Sequence, residues 1–303
     1  MLAKLFAHRT PHQRQQLLLI LLAAPLIVWV ILFAVLPMLA GIGLSFYDYS
    51  LVHPKRNGFA GWENYLAIWQ DEDTRSALVN TLTFMLKAVV VEFILGFIIA
   101  LLLWRDSRWN RIILALLLVP VSVTPLAAGL IFKALFNPDY GPIGYFARLS
   151  GWSAERGFLG SPDSALNAIV FIDAWQWTPL MALILLAGLK TIPADYLEAA
   201  ELDGASRLQK FTTIIFPVML PSILLALLLR LIDASMVFDT IYVSTNGGPG
   251  NATNVLMLQA VRQGLEFFNM GAASAISTVM LILVGVIAAI FSIFMSKLEK
   301  RIS

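Results

Sequence analysis

Between Arg14 and Asp48 the chain runs for 33 residues without a single Asp, Glu, Lys or Arg. A helix needs roughly 20 mostly apolar residues to cross the hydrocarbon core of a bilayer. The run is therefore long enough to span, and it sets the solvent in which the rest must fold. Its start, with Lys4, Arg9 and Arg14 ahead of apolar residues, has the form of a signal peptide. The apolar stretch continues unbroken from Leu17 to Leu36, too long for the h-region of a cleaved signal, so it reads as an uncleaved anchor.

Composition extends this to the whole chain. Apolar residues make up 59% and charged residues 13% of the 303 positions, against about 25% charged in soluble domains. An ordinary soluble enzyme is excluded. The formal net charge of +2 is too small to argue for nucleic acid. With no cysteine there is neither a disulfide framework nor a thiolate site. His8, His12 and His53 lack the spacing of a metal site, and no phosphate loop, GxSxG elbow or His-Glu-Xaa-Xaa-His helix occurs. The chain carries no sign of catalysis or of ATP hydrolysis.

Six spans are expected, at about 17 to 40, 76 to 104, 112 to 133, 165 to 189, 213 to 238 and 271 to 296. Basic residues are retained on the cytoplasmic side. With the N-terminus inside, that side holds Lys4, Arg9, Arg14, Arg105, Arg108, Arg111, Lys190, Arg207, Lys210, Lys297, Lys300 and Arg301. The other side receives Lys55, Arg56, Arg75, Arg148, Arg156 and Arg262. Both termini are thus expected in the cytoplasm. The division is a tail at 1–16, one six-span domain at 17–296 with a cytoplasmic loop at 190–212, and a tail at 297–303.

The loop after the fourth span reads KTIPADYLEAAELDGASRLQKFTTIIFP from Lys190 to Pro217. Pro193 suits a first helical turn, Asp195 and Glu198 favour the positive end of a helix, and Gly204 sits where a short helix would stop by taking positive φ. A second helical stretch from about Ser206 then leads into the fifth span. Composition alone describes an amphipathic connector.

The order Glu198, Ala199, Ala200, then Asp203, Gly204 and Ala205, with Ile214 and Pro217, resembles the EAA loop of ATP-binding-cassette (ABC) importer permeases; Phe216 stands where that family more often has Leu. Further matches run along the chain in Ser45, Phe46, Phe59, Gly61, Asn64, Tyr65, Asn80, Thr81, Leu82, Trp175 and Pro179. After the fifth span come Phe238, Asp239, Ile241, Tyr242 and the stretch from Thr245 to Pro249, and Gly271, Ala273 and Ala275 open the sixth. Together these look like the carbohydrate-uptake branch of the family, which includes the larger maltose permease subunit. The resemblance implies an all-α polytopic membrane protein with six transmembrane helices, the type I ABC importer permease fold and cytoplasmic EAA coupling helices. It implies that Glu198, Ala199, Ala200, Asp203 and Gly204 couple to an ATPase. It further implies a second homologous permease, two ATPase subunits that bind ATP and magnesium, an extracytoplasmic solute-binding protein, and the bacterial cytoplasmic (inner) membrane as location. No cofactor is expected on this chain.

Charged groups at membrane depth usually face the bundle interior or a water-filled path. Asp173, Gln176, Trp177 and Leu180 in the fourth span, and Arg230, Asp233, Ala234 and Val237 in the fifth, each follow i, i+3, i+4, i+7, one helical face. The resemblance places both sets on a sugar pocket, and their hydrogen-bonding groups and indole suit a small hydroxylated solute such as a sugar, a polyol or glycerol phosphate. The competing account has Arg230 and Asp233 neutralise each other and serve packing. Glu92 reads as a path residue or as a satisfied interhelical partner, with Lys87 as a candidate partner, and the structural account is favoured. Trp175 and Pro179 read equally as packing and a kink. Two rival functions remain at this stage: an ion-coupled carrier using Glu92, Asp173 or Asp233, and a membrane enzyme acting on lipid.

Overall fold

The computed structural model describes residues 11–105, 107–151 and 156–302, which form a bundle of long helices joined by short interfacial ones. Lys4 and Arg9, assigned above to the N-terminal tail, lie outside the described residues. The first span is helical at Pro11–Val30 and Leu36–Leu44, joined without interruption by one π turn at Ile31–Val35. Helix is already present at Pro11, the first described residue and ahead of the expected start. The second, fourth and sixth spans are Glu72–Leu103, Pro162–Lys190 and Met270–Ile302, and the fifth runs from Arg207 to Ser235 through a π turn at Phe211–Ile215.

The third span departs from expectation. Instead of one helix over 112 to 133, two helices, Arg108–Ser122 and Pro125–Leu135, meet at 93°. At 1.5 Å per residue neither piece covers the ~30 Å core alone. The break has a local cause. Pro125 supplies no N–H, the residue before a proline is pushed out of the helical region, and Thr124 is extended while its hydroxyl accepts from Ala127 N at 3.3 Å. The second piece then packs on a short helix at Asp239–Ser244, where Thr240 Oγ1 donates to Pro125 O at 3.2 Å and Lys133 Nζ to Val243 O at 2.9 Å.

The most extensive helix contact is between the second and fourth spans. Gly96 makes it possible: a Cβ there would lie 2.8 Å from Met181 Cγ and 3.0 Å from Ala182 N. Small residues at such crossings let membrane helices approach closely enough for dispersion to hold them. Gly188 does the same for the fourth and fifth spans, where a Cβ would meet Ser222 Oγ at 2.7 Å. Among the described residues three apolar clusters fill the bundle, one around Phe84, Ile169 and Ile241, one around Met181, Leu185, Leu189 and Met219, and a smaller one around Leu256, Ile276 and Met280. In the first span, by contrast, none of the described side chains through Leu44 is buried.

The loops after the first and fifth spans are tied rather than loose. Tyr47–Asp48 pairs antiparallel with Gly58–Phe59, Asn64 Nδ2 donates to Ser45 O at 2.9 Å and Tyr47 O at 2.8 Å, and Tyr65 Oη lies 2.6 Å from Ser45 Oγ. A Cβ on Gly271 would stand 2.1 Å from Tyr47 O, so the sixth span can begin against this loop only with glycine there. Asn80 Nδ2 donates to Asn251 O and Asn254 O, both at 2.9 Å, which secures the Gly-Pro turn over the second span.

Gly96→Val should destabilise the chain by about 1–3 kcal/mol through overpacking. Gly285→Val, where nothing lies within 4 Å, should be close to neutral. Thermal unfolding of the two variants in the same micelle measures the difference, and equal melting would remove Gly96 as the contact point.

Candidate functional site

Arg230 is the centre of the polar groups at membrane depth. It is 2% exposed and receives three carboxylates from three spans. Its Nε and Nη2 donate to Glu92 Oε2 and Oε1 at 2.6 and 2.8 Å, a two-pronged contact that matches guanidinium to carboxylate geometry. Nη2 also donates to Asp173 Oδ2 at 2.8 Å, and Nη1 donates to Asp233 Oδ2. The guanidinium carbon lies 5.0 Å from the centre of the Trp177 ring, within cation–π range. Glu92 and Asp173 are buried, whereas the Asp233 side chain is 57% exposed.

This arrangement absorbs both accounts of Arg230. Asp233 does neutralise it from the next turn, but the deeper partners are Glu92 and Asp173. The expected neighbourhood of Glu92 and Lys87 is corrected: Lys87 Nζ donates to Asn167 Oδ1 at 2.9 Å instead. Five residues apart on a helix is about 140° of rotation, so the two side chains leave the second span in different directions.

A cleft of about 100 Å³ opens beside the cluster. Of the expected path residues, Asp173, Trp177, Asp233, Ala234 and Val237 line it. Gln176 does not. It is buried, with Nε2 donating to Val123 O at 2.5 Å at the bend of the third span, and its Oε1 has no partner among the described residues. Leu180 lies one turn further along and stays off the cleft wall, and Arg230 lies behind it. Pro125, Met236, Phe238, Asp239 and Thr240 complete the wall and were not assigned to the path from sequence. Phe238 and Asp239 were visible only as a resemblance motif, and Pro125 only as a helix breaker. Pockets that enclose drug-sized ligands measure about 300–1,000 Å³, so the cleft in this conformation admits no more than part of a sugar ring. A larger groove of about 760 Å³ runs along the second, third and fourth spans, and its walls are mostly apolar, with Val90, Leu95, Ile99, Leu117, Val170 and Phe171 among them. Its polar groups are few: Lys87 and Asn167 are bonded to each other at 2.9 Å, which leaves Thr178 and the Trp175 indole for a hydroxylated solute.

The loop between the fourth and fifth spans is built as two capped helices. Pro193 is extended and stands just before the helix Ala194–Leu202 rather than within its first turn. The helix ends with Gly204 at φ +75°, Gly204 N donating to Glu201 O at 3.0 Å and Ala205 N to Ala200 O at 2.9 Å, which together are a Schellman ending. Ser206 and Gln209 then form a reciprocal capping box. Lys210 Nζ holds Glu201 Oε1 at 2.7 Å across the two pieces, and this hydrogen bond keeps the Glu201 carboxyl below its usual range, ionised at neutral pH.

One face of the loop is anchored and the other is bare. Leu197 packs with Ile192 and Ile215 against the bundle. Glu198, Ala199 and Asp203 point outward, and the Glu198 carboxylate makes no hydrogen bond or ion pair with a described residue. Ala200 is half-buried. Sequence reasoning missed Leu202, which is 90% exposed, and the outward Tyr196 and Leu208. Their signal was available as large apolar residues in an otherwise polar loop between two spans.

With this geometry in place, comparison with known proteins is informative. Residues 92–303 match the family described as "Binding-protein-dependent transport system inner membrane component". The chain is 36% identical to a trehalose/maltose transport system permease protein, MalF, of Thermococcus litoralis, over 87% of this chain and 89% of that one. It is 33% identical to the sulfoquinovosyl glycerol transport system permease SmoG of Agrobacterium fabrum, covering 91% and 89%. It is 32% identical to the trehalose transport system permease SugA of Mycobacterium tuberculosis, covering 94% and 91%. A chain of a bacterial alginate ABC transporter, solved in complex with an alginate pentasaccharide-bound periplasmic protein, superposes with a TM-score of 0.77 at 21% identity over 92% of this chain and 93% of that one, which shows a common fold.

Arg230→Met should cost about 3–5 kcal/mol, because it strands buried carboxylates rather than merely deleting a contact. The double variant Glu92→Gln with Arg230→Gln should recover part of that loss. Denaturant unfolding in micelles gives both values, and a harmless Arg230→Met would show that the network bears no load.

Proposed function

The chain belongs to the family of binding-protein-dependent transport system inner membrane components, and from that premise we propose that it is the permease subunit of an ATP-driven ABC importer for a sugar, polyol or related small hydroxylated solute. The whole of 17–296 acts as one transport domain, with both termini and the 190–212 loop in the cytoplasm. The observation that carries this reading is the two-helix loop: anchored by Leu197 on one face, rigidly capped at Gly204 and Ser206, and presenting Glu198, Ala199 and Leu202 on the other. Such a surface suits a partner that supplies force, since small and apolar groups allow close approach and an unpaired carboxylate offers a charge-assisted bond.

In this mechanism the chain performs no chemistry. ATP and magnesium bind to the partner ATPases, whose closure moves the loops of two homologous permeases towards each other. Because the loop joins the fourth and fifth spans, its displacement is passed directly to the helices that carry Asp173 and Arg230. The cluster at depth holds those helices to the second span, so the three swing as a unit between inward-facing and outward-facing states. A solute-binding protein delivers solute on the other side. The first span, with no buried side chain among the described residues through Leu44, offers apolar surface for the second permease.

The names of the relatives point to sugars, and the cleft adds a restriction on charge. Asp173, Asp233 and Asp239 face it, while the buried Arg230 is already committed to three carboxylates. Neutral solutes are therefore favoured over phosphate esters, because like charges at short range repel strongly where water is sparse. Uptake of a neutral disaccharide should be unaffected by excess glycerol 3-phosphate; strong competition would overturn this restriction.

The coupling role is tested at Gly204. A Cβ there meets nothing within 4 Å, so only the φ of +75° opposes substitution. Gly204→Val should cost about 1–3 kcal/mol locally, weaken association with the ATPase and reduce uptake sharply, while Gly204→Asn, which tolerates this conformation, should stay near the original activity. Co-purification of an ATPase and solute-stimulated ATP hydrolysis are the readouts. Transport without any ATPase would instead support the ion-coupled carrier.

A further inference from the structure

Where the second span ends, a second cleft of about 440 Å³ opens between that end, the loop helix Ala194–Leu202 and the start of the fifth span. Arg105, Arg207 and Lys210 reach it against one carboxylate, Glu201. Lys210 is already paired with Glu201 at 2.7 Å, whereas Arg105 and Arg207 have no acid within ion-pair distance among the described residues. The walls between these cations are apolar: Trp104, Leu197 and Ile215, the last two belonging to or packed on the same buried cluster. The main chain at Arg105 is held where Asn110 Nδ2 donates to its backbone oxygen at 2.5 Å, which sets the point from which its side chain reaches the cleft.

Two guanidiniums without an acidic partner among the described residues, above an indole and aliphatic floor where a long apolar helix terminates, match a ligand with a phosphate at one end and hydrocarbon at the other. Basic pockets between membrane helices take anionic headgroups for this reason, and guanidinium planes pair well with phosphate oxygens. A free phosphate would use the cations and leave the apolar walls wet. We propose that this cleft binds the headgroup of an anionic phospholipid, with its acyl chains lying along the end of the second span by Trp104. The proposal rests on the reading above only in assigning the lipid to the cytoplasmic leaflet. A bound lipid would brace the loop helix against the second span, from the side opposite to the bare face of Glu198 and Ala199.

The full chain in micelles, with any subunits that co-purify, can be titrated with phosphatidylglycerol or phosphatidylcholine of identical acyl chains and bound lipid counted by native mass spectrometry. Phosphatidylglycerol should be retained in preference. The double variant Arg105→Gln with Arg207→Gln should reduce that retention about 30-fold, the loss expected for two cations at an anionic surface. Lys87→Gln, about 27 Å away along the second span by helical rise, should leave it unchanged. Equal retention of phosphatidylcholine, or full retention by the double variant, overturns the proposal. So does inorganic phosphate binding to delipidated protein and displacing phosphatidylglycerol, which would make the site one for free phosphate. Should the double variant fail to fold, photoactivatable phosphatidylglycerol on the unmodified chain decides: labelling within 104–110 or 207–215 supports the site, and labelling confined elsewhere refutes it. ATPase binding measured on the same samples keeps this outcome separate from that of the transport reading.

Discussion

A guanidinium cannot discard its proton under ordinary conditions, so an arginine placed at membrane depth must be surrounded by acceptors or not be there at all. Arg230 meets this demand with Glu92 from the second span, Asp173 from the fourth and Asp233 from its own helix. The helices are thereby fixed in rotation and depth, since a turn of any one of them would leave a buried charge uncompensated. Gly96 and Gly188 allow the same three helices to approach closely, and the polar cluster fixes which faces meet. Packing alone would tolerate other registers; the ion network does not.

The loop uses a different kind of rigidity. Its helix is too short to be stable in isolation, and it is held by a glycine at positive φ, a serine capping box, one exposed ion pair and the burial of Leu197. The exposed pair contributes little by itself. What matters is that the loop leads straight into the fifth span through the π turn at Phe211–Ile215, so its second helix and Arg230 lie on one continuous helical segment.

Several residues that carry the family resemblance prove to be ties on the opposite side of the membrane. Asn64, Asn80 and Gly271 do not line the cleft; the two asparagine side chains donate to backbone carbonyls of irregular segments, and Gly271 lets the sixth span approach the Tyr47 carbonyl. Unsatisfied backbone groups at that level are costly, which is reason enough for particular side chains. They hold the ends of spans between which a solute would pass.

Hydropathy pointed to membrane helices, because lipid admits only helices and closed barrels, and an uncharged run of 33 residues suits a helix of roughly 20 or more residues rather than a barrel strand of about 10. Local sequence also determined the stop at Gly204 and the restart at Ser206, since both rest on interactions within a few residues. Periodicity identified one face each of the fourth and fifth spans, but Gln176 and Leu180 left the cleft and Pro125, Phe238 and Asp239 joined it. The third span's bend moved them: it brought the Val123 carbonyl to Gln176 and Pro125 to the cleft wall, and a break of that angle cannot be deduced from apolar content. The partner of Glu92 lies 138 positions away in the chain. Only the packed arrangement could select Arg230 over the nearer Lys87, because helical rotation, not sequence distance, decides which charges meet in the low-dielectric interior.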